Sequence, residues 1–409
     1  MPGTVAIVGA SVGGVRTAQA LRAKGYDGRV VLVGAEPDLP YDKPPLSKHF
    51  LAGTWDTSRI TLLDRETAAA SGIDLRLGVP AEHLDVAGHT VVLADGTRIS
   101  YDTVVLATGS AARLAPWPAE SGVRVIRSVA DSRGLRTDLD TSGPVVVVGG
   151  GFIGAEIAGT LHTAGRQVTV VDPLPCPIGR VLGPEVGALV GDVHRRHGVA
   201  THFGTGVQDI EGHLGDLTVT LTDGAVLRAA VVVAGIGATP NVSWLETSGL
   251  LVEDGLVCDR FCRAVDRPDV YAVGDIARWY HPGHDERVRV EHWTNAVEQA
   301  NCVAHNIVHP GAPHAYEPTE YVWSDQYDWR IQIVGRPHRG DGHEVLGDPR
   351  AERPRFAAVY RDADGLLCGG AAVNWPKALL VIRRLVTAKA SYEEGIASVH
   401  QLPTPAGAS

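Results

Sequence analysis

VAIVGASVGG (residues 5–14) and VVVVGGGFIG (residues 145–154) are the two stretches on which this chain's reading turns. In each, a run of β-branched and apolar residues ends at a glycine-rich turn that opens a segment with helical spacing. A strand–turn–helix of this kind lets the backbone approach a pyrophosphate, which then rests on the helix N-terminus. One such turn is weak evidence. Two in one chain imply that one protein holds two dinucleotides, and the usual use of such a pair is hydride transfer from a nicotinamide to a flavin.

The first fingerprint runs Gly9-x-Ser11-x-x-Gly14, with serine in place of the middle glycine and still small enough for close approach. Around it the apolar spacing predicts a strand at 4–8, a helix at about 13–24 and a strand at 29–33. Glu36 follows that strand, where an acid binds a ribose diol. The second fingerprint, Gly149-x-Gly151-x-x-Gly154, is intact. A helix at 151–164 and a strand at 167–171 follow, ended by Asp172. Its carboxylate would accept the 2′-hydroxyl of NAD and repel the 2′-phosphate of NADP, with Arg180 further on working against that preference.

A proline-rich connection, PYDKPPLSK (residues 40–48), leads to strands near 73–77 and 90–93 and to a buried strand at 103–107 that stops at Thr108-Gly109. Residues 111–118 read as a crossover. A strand at 229–234 stops at Gly235-Ile236-Gly237, and one at 269–273 stops at Gly274-Asp275 and returns the chain to its first sheet. Beyond about residue 317 the texture changes to antiparallel strands at 330–334 and 356–360, a helix at 377–389 and a disordered tail, 403–409. The expected fold is α/β: two doubly wound Rossmann-like domains plus a C-terminal α+β domain. FAD would occupy 1–110 with 237–317, NAD 111–236, and the last domain spans 318–409.

Composition narrows the function classes. The chain has 409 residues, 44% of them apolar and 21% charged, with a formal charge of −10, which argues against nucleic acid as the main partner. Five scattered cysteines suit a reduced, cytoplasmic protein, and neither a signal peptide nor a transmembrane segment is legible. No cysteine precedes Cys176, so the first-domain helix carries no redox-active pair. Cys258 and Cys262 read as structural. With no thiol relay, electrons must leave the flavin directly, and with no His/Cys cluster for a metal, any iron must sit on a partner.

Two charged residues stand out on chemical grounds. Lys48, fixed after Pro44 and Pro45, would place a cation beside flavin N5–N1 and stabilise the reduced ring. Glu156, on the first turn after Gly154, lies where the second nucleotide must lie. A Lys48–Glu156 ion pair, broken when nicotinamide arrives, is the expected arrangement. Trp293 opens the returning helix either as core or as a cofactor platform, and beside it His292 has no evident proton-transfer partner.

The chain resembles the FAD-dependent NADH:ferredoxin reductases of bacterial oxygenase systems, putidaredoxin-reductase-like members of the glutathione-reductase superfamily. The likeness spans nearly the whole chain and rests on seven motifs in the family's order. They are PYDKPPLSK, TVVLATGS (103–110), GGGFIGAEIA (149–158), GIGATPN (235–241), DVYAVGDIA (269–277), VEHWTNAVEQA (290–300) and VWSDQYD (322–328).

The resemblance implies that Gly9, Ser11, Gly14 and Glu36 hold the ADP half of FAD, and that Thr108 and Gly109 line the flavin. Asp275 would bond the ribityl–pyrophosphate region, and Lys43, Pro45 and Lys48 would border the isoalloxazine. Lys43 stands where the family more often has arginine. Trp323 would pack near the nicotinamide pocket, with Gly237, His292 and Trp293 among the cofactor contacts. Gly149, Gly151, Ile153, Gly154, Glu156 and Asp172 would hold NADH, with Glu156 and Glu291 near its carboxamide.

The implied activity is transfer of a hydride from NADH to FAD and of single electrons to a [2Fe–2S] ferredoxin serving an oxygenase. Same-fold reductases of rubredoxin, nitrite reductase or quinones are the alternative, and an NADH-sensing flavoprotein like the apoptosis-inducing factors is one of another class. The expected state is a monomer or weak dimer. Residues 318–409 hold 11 Lys or Arg and 11 Asp or Glu, so the rest of the chain carries the whole negative charge. That makes Arg330, Arg336, Arg339, Lys377, Arg383 and Arg384 the candidates for docking an acidic ferredoxin.

Overall fold

The computed structural model describes residues 3–117 and 121–403; Pro118, at the end of the expected crossover, and the tail beyond Pro403 lie outside them. The chain forms two compact units. One comprises Met1–Pro45, Trp55–Ala111 and Ala238–Pro318, the other Leu46–Thr54, Ala112–Gly237 and Thr319–Ser409.

The first unit is built on a five-stranded parallel sheet in the order Val270–Ala272, Thr103–Leu106, Thr4–Val8, Arg29–Gly34, Ile73–Leu77. Its central strands are continuous apolar runs because both faces of the sheet are covered. Their residues share one core with Leu21 and Val303 of the helices Val12–Ala23 and Trp293–Val308, and with Leu84, Val91 and Ile99 of a small antiparallel sheet. The returning strand pairs Val270 with Val104 and Ala272 with Leu106.

The second unit repeats the plan in the order Ala200–Phe203, Val168–Asp172, Val145–Val148, Val231–Ala234, Val123–Arg124, all parallel. The strand expected at 229–234 is two. Val226–Ala229 closes an antiparallel three-stranded sheet, and Val231–Ala234 enters the parallel one after Ala230, whose N–H goes to the Pro144 carbonyl.

The C-terminal antiparallel sheet runs Tyr321–Gln326, Trp329–Gly335, Leu367–Val373, Arg355–Arg361, Gly342–Asp348. Its side chains alternate between two covered faces. Phe356, Ala358 and Tyr360 pack with Leu182, Val186 and Val190 of the helical stretch Gly179–Arg196, which is broken at Gly183 (φ 73°), whereas Ala357 and Val359 pack with Leu379 and Ile382 of the helix Pro376–Thr387. A helix of the nucleotide-binding domain thus serves as a layer of the last domain, and the two form one unit.

A second departure concerns residues 46–54, which by sequence belong to the first domain. In the structure they strap onto the second unit. Leu51 joins the core of Leu135 and Ile157, Ser132 Oγ donates to the Leu46 carbonyl, and Thr160 Oγ1 donates to the Ser47 carbonyl.

The two fingerprints superimpose in their strain. Gly9 and Gly149 adopt φ of 115° and 99°, and a Cβ would lie 2.1 Å from the Ala107 carbonyl oxygen and 2.2 Å from that of Gly235. A Cβ on Gly154 would sit 1.8 Å from the Gly149 oxygen, while around Gly151 nothing lies within 4 Å. Gly154→Ala is therefore expected to lower unfolding stability by about 1–3 kcal/mol in a denaturant titration. Gly151→Ala should leave stability within about 0.5 kcal/mol of wild type and weaken only dinucleotide binding.

Candidate active site

In the first unit the helix Val12–Ala23 starts at Ser11, in extended backbone (φ −98°) and with no side-chain cap. In the second, Gly151 (φ −65°) stands at the same place, also uncapped. Neither position needs positive φ, which is why serine can stand in for glycine in the first fingerprint. Both helices present bare first-turn N–H groups and a positive dipole end, which fits a pyrophosphate.

Glu36 lies just past the strand Arg29–Gly34, half-buried, accepting from the Tyr41 hydroxyl. Lys43 Nζ lies 3.6 Å from Glu36 Oε1 and 5.0 Å from the centre of the Tyr41 ring. Lys43 therefore keeps company with the carboxylate read as the ADP-ribose ligand. Pro45 is buried in the single turn Pro44–Ser47.

Thr108 Oγ1 donates to the Asn241 carbonyl and Asn241 Nδ2 donates back to the Thr108 carbonyl, fixing the turn that contains Gly109 (φ 66°). Gly237, with φ of 108°, accepts the Arg113 N–H on its carbonyl. Asp275 follows Gly274 (φ 79°), accepts from Ser110 Oγ at 2.7 Å and is held on its carbonyl by Arg289. The Gly274 N–H is itself gripped by the fully buried Gln299 amide.

Arg289 also binds Glu291 and Asp254, which ties Glu291 down within the first unit. Trp293 is half-buried at the start of its helix and donates its indole N–H to Asp42 at 2.7 Å, with His292 as the N-cap. The indole is thus tethered to the PYDKPPLSK loop, neither of the two roles weighed from sequence being needed for that bond.

The second unit holds a buried polar cluster. Glu156, on the helix Phe152–Thr163 and 4% exposed, accepts from Ser47 Oγ (2.6 Å) and Lys48 Nζ (2.6 Å) on Oε2 and from Ser324 Oγ (2.8 Å) on Oε1. Thr160, one turn further along the same face, binds the Ser47 carbonyl. Lys48 and Glu156 were candidates from sequence; Ser47, Thr160 and Ser324 were not. Ile153 leaves its side chain 47% exposed beside the bare helix end. Asp172 is turned inward at 7% exposure, accepting the Gly150 N–H (2.7 Å) and the Leu174 N–H (2.8 Å), so it also shapes the glycine turn.

Trp323 stacks with Tyr321 on the strand that carries Ser324. That strand ends in a turn anchored by Tyr327 (φ 55°), whose hydroxyl is 2.8 Å from His194 Nδ1 and whose ring stacks on His197 at 4.2 Å. A Cβ on Gly159 would come within 3.0 Å of the Tyr327 nitrogen, so the helix and the turn are in direct contact. Among the docking candidates, Lys377 and Arg384 are exposed on one stripe of the helix Pro376–Thr387 with Leu380, which is 67% exposed. Arg383 covers the Tyr321 ring, Arg330 pairs with Asp325, Arg339 is exposed, and Arg336 is turned onto the buried Glu320. Burial pushes the Cys258 and Cys262 thiols up, which suits inert core residues.

Comparison with known proteins identifies the class. Residues 3–300 match the model of the pyridine nucleotide-disulphide oxidoreductases and residues 321–400 that of the reductase C-terminal domain, so the chain belongs to the pyridine nucleotide-disulphide oxidoreductase family, whose members use FAD and NAD(H). It is 38% identical to the ferredoxin–NAD(+) reductase component of the anthranilate 1,2-dioxygenase system of Burkholderia cepacia, over 94% of each chain. Putidaredoxin reductase of Pseudomonas putida is 34% identical over 98% of this chain and 95% of its own. The ferredoxin reductase for the CYP199A2 system of Rhodopseudomonas palustris superimposes with a TM-score of 0.90, at 34% identity and 96% coverage of both chains. Among the described residues no helix is long and apolar enough to cross a membrane.

His194 gives a pH handle on the turn beneath Trp323 and Ser324. Burial, with a smaller push from His197, lowers its pKa to about 4, so the folded ring stays neutral where an unfolded histidine takes a proton. The unfolded state then binds more protons, and stability falls with pH between about 6.5 and about 4. His194→Phe removes this component. The stability difference between wild type and variant should shift by roughly 3 kcal/mol across that window, measured by denaturant unfolding.

Proposed function

We propose that this chain is an NADH:ferredoxin oxidoreductase, taking a hydride from NADH onto FAD and passing electrons singly to a [2Fe–2S] ferredoxin of a bacterial oxygenase. The observation that carries the reading is the pair of bare, glycine-turned helix N-termini joined in one chain to the buried Glu156–Lys48 pair. Bound FAD supplies the conversion of a two-electron hydride into two one-electron steps.

Within that reading, Glu36 and Tyr41 hold the ADP ribose of FAD, and the first helix N-terminus faces its pyrophosphate. Asp275, oriented by Ser110, would meet the ribityl–pyrophosphate region, and the Thr108–Asn241 lock would fix the turn that lines the isoalloxazine. The second N-terminus receives the NADH pyrophosphate, Asp172 receives its ribose and Ile153 packs on it. Lys48 supplies the positive charge that favours the reduced ring, held ready by Glu156. Trp323 covers the nicotinamide side. Putidaredoxin reductase has been seen in a covalent complex with putidaredoxin, a structure this chain matches at 31% identity and a TM-score of 0.90. The stripe of Lys377, Leu380 and Arg384 suits an acidic partner with an apolar contact at its centre.

Anaerobic stopped-flow mixing tests the reductive half. NADH should bleach the flavin fast and NADPH slowly, and Asp172→Ala should narrow that ratio by about tenfold; equal rates with both coenzymes would remove Asp172 from the reading. A second experiment tests the stripe. Lys377→Glu with Arg384→Glu should raise the ferredoxin KM by about tenfold, an effect that shrinks with salt, while NADH–ferricyanide turnover stays unchanged. An unaltered ferredoxin KM would place docking elsewhere.

A further inference from the structure

Ser324 pairs across the sheet with the buried Ile331, yet it is itself fully buried and polar, and so is Gln326 two residues on. Burying a hydroxyl without a partner is costly, and alanine would fill the space as well. The hydroxyl is oriented at both ends: Gln326 Nε2 donates to it at 3.2 Å, and it donates to Glu156 Oε1 at 2.8 Å. Glu156 Oε2 takes the other two donors, Ser47 and Lys48. The two carboxylate oxygens are thus divided between the C-terminal strand and the Leu46–Thr54 strap.

We propose that Ser324 is a positioning residue for hydride transfer. By holding Oε1 it fixes the carboxylate plane so that Oε2 meets Lys48, and together with Ser47 it keeps the buried charge solvated by protein when Lys48 turns away. The lysine is then released without stranding Glu156. The C-terminal domain thereby contributes to the reductive chemistry as well as to docking. This inference rests on the reductase reading above.

The test compares Ser324→Ala with Ser324→Thr, which restores the hydroxyl. In difference infrared spectra of the oxidised protein against Glu156→Gln, the carboxylate stretch of Glu156 should move in the alanine variant and return in the threonine variant. NADH-driven flavin reduction should slow by about tenfold in Ser324→Ala with an NADH dissociation constant within about twofold of wild type, and recover in Ser324→Thr. An unmoved carboxylate band overturns the proposal, as does a loss of rate that threonine fails to restore. A wild-type protein that NADH does not reduce would instead overturn the reductase reading, leaving the infrared comparison to decide Ser324.

Discussion

A carboxylate buried to 4% exposure needs every hydrogen bond it can get, and Glu156 gets its donors from distant parts of the chain. In a low-dielectric setting an ion pair alone does not repay the desolvation of both charges; added donors are required. Ser47 and Ser324 are those donors. Each brings its own segment with it: Ser47 the strap Leu46–Thr54, Ser324 the first strand of the C-terminal sheet. The assignment of residues 46–54 to the second unit follows from this, reinforced by Ser132, Thr160 and Leu51. Lys48 is encoded beside one nucleotide-binding domain and carried by the other.

The nucleotide-binding turns obey a simpler constraint. Tight strand-to-helix reversal drives Gly9 and Gly149 to positive φ and presses Gly14 and Gly154 against carbonyl oxygens, so no side chain fits at those four positions. The middle position keeps a negative φ in both turns, and around Gly151 nothing lies within 4 Å; there the chain uses serine once and glycine once. What remains at each helix start is a ring of N–H groups with no side-chain cap, the physical requirement for an anion.

The strands and their order of return were legible because buried parallel strands are short apolar runs stopped by glycine; Val145–Val148 and Thr103–Leu106 fall where the pattern places them. The family motifs named the segments of the site. Their hydroxyl contacts were not legible. Ser47 lies inside PYDKPPLSK and Ser324 inside VWSDQYD, yet nothing local says that both oxygens converge on a residue more than a hundred positions away. The same holds for Thr108 with Asn241, whose mutual bonds join two quoted motifs. Arg336 shows the reverse error: its charge reads as docking surface, and the fold consumes it in a buried pair with Glu320. Chain topology, which local periodicity does not encode, decides all of these.

The most direct test of the central claim is anaerobic reduction of the Glu156→Gln holoprotein by NADH, with dithionite reduction as the control. If Glu156 holds Lys48 ready for the reduced flavin, NADH reduction slows by at least about tenfold while dithionite reduction and bound FAD are unchanged. Reduction by NADH at the wild-type rate, with unaltered NADH affinity, would contradict the account and leave the Glu156 cluster a purely structural clasp.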